Sequence, residues 1–223
     1  MATKKAAKAA EKAPKQVKVT VTPPNFVVAS FTITGTAPYV QNKFSVKAHE
    51  EMRVKQEAGA AYKAPPRTAK DFQQVYEDAT HFMQNGEPGI PATAFRNAII
   101  EVSLLFSRSF TKKKMRMCVF VEADGIDPVD GTPLVAFTKG ERQYSEMAVR
   151  IQQTTDIRAR PMWVPGWQAA VRIQYDADAF TLQEITNLLM RAGMQVGIGE
   201  GRPSSKASSG MGWGLFTVET GGK

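Results

Sequence analysis

Hydrophobic residues recur along this chain with two distinct periods. Phe26 to Thr34, FVVASFTIT, is β-branched and aromatic and predicts a strand. Its apolar side chains fall on both faces, as in a central strand. Phe44 to Glu57 is charged and weakly helical, and Asp71 to Met83 predicts a helix. Asn85 to Pro91 reads as a turn without regular structure. Phe95, Ala98, Ile99, Val102, Leu105 and Phe106 then repeat at helical spacing, with Thr93 as the expected N-cap. Met115 to Val121 alternates as a strand, and short strands follow at 133–138, 143–151 and 156–163. From Trp167 to Tyr175 the alternation is regular: Trp167, Ala169, Val171, Ile173 and Tyr175 share one face. A last helix opens with the capping box Thr181–Glu184, flanked by Phe180 and Ile185 as a hydrophobic staple. Gly193 is its expected stop, and Trp213 to Val218 is a closing strand.

Stripped of insertions, this order is β-α-β-β-α-β. It predicts an α+β, ferredoxin-like (RRM-like) core with an extra β-hairpin region. Residues 21–223 form one domain in this reading, with an exposed insertion at about 40–70. The open sheet face of such a fold is a stacking platform in RNA-binding modules.

Charge sharpens the picture. The chain of 223 residues carries 29 basic and 21 acidic side chains, net +8. Six lysines against Glu11 place most of that excess in the first 18 residues. Residues 1–20 therefore read as a disordered basic tail suited to non-specific phosphate contact. The single cysteine, Cys118, rules out a disulfide framework and fits a reducing cytoplasm, the host's if the chain is phage-encoded. No apolar run reaches the roughly 20 residues of a membrane span, and no apolar core follows the N-terminal lysines as a secretory signal requires. HExxH, CxxC and P-loop patterns are absent, so neither metal nor cofactor is expected. The aspartates of Asp124 to Gly131 lack the EF-hand spacing and read as turn chemistry.

The most unusual stretch is Val196 to Phe216, VGIGEGRPSSKASSGMGWGLF, with six glycines around Arg202 and Lys206. Glycine costs backbone entropy, which positive φ or close approach to another backbone or a phosphate would justify. Bare amides beside Arg and Lys make an anion-binding concavity; a long hairpin between closing strands is the plain alternative. GIPATAFRNAI at Gly89 to Ile99 resembles the segment leading into the first helix of RAMP-superfamily proteins, which supply backbone and processing subunits of CRISPR complexes. Ile90, Pro91, Thr93, Phe95, Arg96 and Ala98 match in character, while Ala92 replaces a glycine. Gly197 to Phe216 resembles that family's C-terminal glycine-rich loop. The chain is also similar to small phage-encoded proteins.

The resemblance implies that single-stranded RNA is cradled along the glycine loop and the start of the first helix. The residues it points to are Thr93, Arg96, Gly197, Gly199, Gly201, Arg202, Ser204, Lys206, Gly210 and Gly212. The basic run Lys112, Lys113, Lys114 and Arg116 would extend the surface. Arg158, Arg160 and Arg172 would add phosphate contacts if the sheet face is the platform. Trp213, Phe31, Tyr39 and Trp163 are candidates for base stacking, against core packing as the alternative. The expected function is non-catalytic binding of single-stranded RNA or DNA, RNA preferred, with homo-oligomer or filament assembly along the strand. A metal-independent endoribonuclease is the second reading, with His81 as its catalytic candidate. A phage protein that binds or inhibits another protein is the third.

Overall fold

The computed structural model describes residues 21–219 apart from 65, 67–68, 107–109, 152–153 and 206–210. The basic tail, Lys206 and Gly210 lie outside the described residues.

Strand β1 (Phe26–Gly35) sits between β10 (Phe216–Glu219) and β9 (Gln168–Asp176), antiparallel to both. The far side of β9 is shared end to end by β4 (Val119–Val121) and β6 (Pro133–Lys139). The order β10-β1-β9-β4, with helix α3 (Ala92–Val102) leading from β1 toward β4 and α5 (Leu182–Arg191) from β9 to β10, is the split βαβ arrangement of an α+β, ferredoxin-like core. Beyond it β6 also pairs with β3 (Gly89–Pro91) and β5 (Gly125–Ile126). A separate three-stranded sheet runs β2 (Tyr39–Val40), β8 (Thr154–Trp163), β7 (Gln143–Ile151).

Alternation explains how the layers pack. Ala169, Val171, Ile173 and Tyr175 of β9 are buried under the helices, with Phe31 and Ile33 of β1 beside them. They meet Phe95 and Ile99 of α3 and Ile185 and Leu189 of α5, all fully buried. Thr181 and Glu184 close the capping box, and Phe180 and Ile185 of the staple are both buried. Tyr39, Phe137, Trp163 and Trp167 form a second aromatic cluster, with Phe137 stacked on Trp163 at 4.5 Å. Phe31, Tyr39 and Trp163 are therefore core residues, withdrawn from base stacking.

Several boundaries depart from the pattern reading. Of the strand expected at Met115 to Val121 only Val119–Val121 pairs; residues 115–118 belong to helix α4 (Lys112–Cys118), because Thr111 caps the segment and Met115 alone turns into the core. Helix α2 is short (Phe72–Asp78), capped by Asp71, and Gly89–Pro91 is paired rather than irregular. Pro91, not Thr93, occupies the N-cap of α3. Gly193 does not end the last helix: a π turn (Ala192–Val196) runs through it, and Gly197 at φ +72° ends the helical segment. A Cβ at position 193 would overlap the Phe216 carbonyl, so that glycine lets β10 approach. The closing strand begins only at Phe216.

Helix α1 (Val46–Ala58), capped by Ser45, buries none of its residues. The segment before it belongs to the core instead: Val40 and Gln41 are fully covered. No helix among the described residues is long and apolar enough to cross a membrane.

Candidate nucleic-acid interface

Two motifs about a hundred residues apart in sequence meet at one place. A groove of about 150 Å³ runs between the exposed face of α3 and the start of the glycine loop. Thr93, Ala94, Asn97 and Glu101 line it from the helix; Gly197, Ile198, Gly199 and Arg202 line it from the loop. No side chain caps α3, and its first turn holds no acidic residue. The first amides of a helix lack intrahelical acceptors and carry about half a positive charge, so this end attracts anions. The Arg202 guanidinium bends over the loop and donates one N–H to the Gly199 carbonyl at 3.2 Å. Ser204 donates to the Glu101 carboxylate at 3.2 Å, tying the loop to the helix at the acidic end of the groove.

The loop is held by its own chain. Gly197, Gly199, Gly201, Gly212 and Gly214 all have φ between +68° and +78°. Ile198 N–H donates to the Gly214 carbonyl, Gly214 N–H to Pro38, and Glu200 N–H to Val40. A Cβ on Gly199 would lie 2.5 Å from the Val40 carbonyl, and one on Gly214 would overlap the Ile198 carbonyl. Close approach is thus real at these two positions, but the partner is the protein's backbone. Gly212 has open space around it and serves only its turn. Trp213, half-buried, lays its ring against Gly201.

The remaining candidate cations divide by what they hold. Arg96 donates to the carbonyls of Val119 at 2.9 Å and Arg116 at 2.5 Å, and lies over the Phe120 ring. It fastens α4 to α3. Lys114 bonds the Ala179 carbonyl over Phe180. Lys112, Lys113 and Arg116 are exposed on α4. Arg160 is buried and paired with Glu200 at 2.8 Å, and Arg158 lies 3.5 Å from Asp156. Arg172 is held between Glu122 at 3.0 Å and Asp124 at 2.7 Å.

Arg172 stands on the open sheet face with Ser30, Thr32, Gln174, Thr217 and Glu219. With Glu122 and Asp124 beside it, that face carries carboxylates around a spent guanidinium. Phe26 and Phe120, in edge contact at 5.8 Å, are its aromatic pair. A phosphate backbone finds no attraction there.

Sequence reasoning missed a second polar cluster. Lys43 Nζ lies 2.5 Å and His81 Nδ1 3.0 Å from the same Asp127 oxygen, and Asp127 is 1% exposed. Its other oxygen accepts from Val129 N–H. Burial pushes the Asp127 carboxyl up, but hydrogen bonds from Lys43, Val129 and His81 outweigh it and hold the group below its ordinary value. Gln41 joins on, accepting from His81 N–H and donating to the Gly89 carbonyl and to Tyr39. Burial drives the Tyr39 hydroxyl far above its usual range, and the Gln41 bond only partly offsets this. Asp130 brings a third ligand-type atom within 4.8 Å of His81 and Asp127. Lys43 already supplies the cation such a set would recruit. The signal was present in the turn Asp127-Pro-Val-Asp130, but nothing in the sequence placed Lys43 and His81 beside it. Asn97 was also missed, although it follows Thr93 by one helical turn on the same face.

Fold and site together define an α+β protein with a ferredoxin-like core and a glycine-looped groove at the start of its first core helix. No protein-family model matches the chain, and no curated protein matches it. Among solved structures it is similar to Cmr6 from Pyrococcus furiosus, with a TM-score of 0.41 and 8% identity over 87% of this chain and 98% of that one. A likeness at that level is uninformative about activity.

Proposed function

We propose that the protein binds single-stranded nucleic acid, RNA in preference to DNA, by seating backbone phosphates in the groove between α3 and the glycine loop. The reading takes the RAMP-type cradle as its pattern. The observation that carries it is the uncapped, acid-free start of α3 at a groove whose other wall bears Arg202. Lys112, Lys113 and Arg116 are exposed on α4, which Arg96 fastens to α3, and would take further phosphates. The net charge of +8 and the basic tail raise affinity without sequence preference. Side-by-side assembly along the strand belongs to the same proposal.

Thr93→Asp tests it. Thr93 is exposed in the first turn, where a carboxylate complements the helix dipole. The fold should be as stable as wild type or slightly more so by thermal melting. Affinity for a fluorescent single-stranded RNA, read by anisotropy at fixed salt, should fall at least about tenfold, because the carboxylate occupies the anion's place. Wild-type affinity in Thr93→Asp would refute the groove, and absence of any RNA or DNA binding by the wild type would refute the function.

A further inference from the structure

The two edges of the small sheet are treated differently. On the β8 side, β2 pairs with Met162 and Trp163, Gln41 N–H bonds the Pro161 carbonyl, and Lys70 Nζ bonds the Ile157 carbonyl. Proline and lysine on an edge are the usual guards against a further strand. On the β7 side no strand pairs with Gln143–Ile151 among the described residues. That edge is nine residues long, about 30 Å, with neither proline nor glycine in it. Its charged positions are Glu146 and residue 150, an arginine, opposite in sign and four apart.

We propose that β7 is a homodimer interface, in which the β7 strands of two copies pair antiparallel across a two-fold axis at Ala148. This register sets Glu146 opposite Arg150 twice and Met147 opposite Val149 twice, with Ala148 facing Ala148. The two copies thus neutralise each other's charges, and the half-buried Met147 and Val149 form one apolar stripe along a six-stranded sheet. A parallel partner would put like charges side by side, so the charge order selects the antiparallel mode. The surface is isologous and closes at two copies. It is separate from the groove beside α3 and needs no nucleic acid.

Sedimentation velocity on the nuclease-treated full chain tests this. The wild type should sediment as a concentration-dependent species of twice 24.5 kDa. Glu146→Arg and Arg150→Glu, each with an unchanged circular dichroism spectrum, should each weaken association about tenfold, since like charges then face each other at two places. The double exchange E146R/R150E should restore the dimer, because the pair is rebuilt with its signs swapped. A wild type that stays monomeric at every concentration overturns the proposal. So does a dimer indifferent to the single changes, or single-variant losses that the double exchange fails to rescue. RNA affinity measured in parallel separates this result from that of the groove.

Discussion

The clasp around Asp127 and the groove beside α3 are built alike and end differently. Each gathers polar groups from separate segments next to the same stretch, Tyr39 to Lys43. In the clasp, Lys43, His81 and Val129 all donate to one buried carboxylate. In the groove, the start of α3 has no side-chain cap and Arg202 spends one donor on Gly199. A polar cluster that satisfies itself inside the protein contributes stability, whereas one that stops short is open to a ligand. The two regions should therefore respond to mutation in different currencies.

The largest expected effect is on the clasp. Asp127→Ala leaves the Lys43 ammonium and the His81 ring N–H, both largely covered, without their shared acceptor and should cost about 3–5 kcal/mol in denaturant melts. RNA affinity of the folded fraction should not change. Because the Asp127 carboxyl is held below its ordinary value, the clasp contributes fully above pH 4 or so and is lost as pH falls through the depressed value. Asp127→Asn should flatten that acid limb of the stability curve. An unchanged limb would show that other carboxylates govern acid unfolding.

Next come the loop glycines, which divide the glycine stretch itself. Gly214→Ala drives a methyl into the Ile198 carbonyl at φ +68°, with an expected loss of about 2–4 kcal/mol. Gly212→Ala meets open space and bears only the left-handed backbone cost, about 1 kcal/mol. Equal melting temperatures for the two variants would refute the claim that the loop packs on its own chain.

The smallest effect is on binding alone. Arg202→Ala should leave the melting temperature within a degree or two and lower RNA affinity severalfold. The slope of log affinity against log salt should fall by up to roughly 0.7, the worth of one phosphate contact on a single strand. A changed affinity with an unchanged slope would place Arg202 on a base or in the fold, not on a phosphate.

Much of the fold was legible because its signals are local. The β9 alternation and the Thr181–Glu184 box needed no tertiary information, and both stand. Residues 115–118 misled because alternating methionines at 115 and 117 imitate a strand, while the Thr111 cap and a lysine run decide for a helix. At the site, the motifs carrying Thr93, Gly197, Gly199 and Arg202 could be read, and the structure brings these four together. Arg160 and Arg172 could not be sorted by sequence, because their partners Glu200 and Glu122 lie 40 and 50 residues away. A free cation and a spent one look the same in a linear chain. The clasp was hidden for the same reason: Lys43, His81 and Asp127 belong to three segments that only the folded sheet edge assembles.

The setting of Trp213 has an optical consequence. Trp163 and Trp167 are fully buried, each within ring contact of Tyr39 and Phe137, so their emission is shielded from the solvent. Trp213 alone is partly open, resting on Gly201 in the loop that forms one wall of the groove. Its indole is the fluorophore that aqueous iodide can quench, and the one whose colour should shift when that wall is covered. The chain thus carries its own reporter, two shielded tryptophans and one that reads the state of the loop.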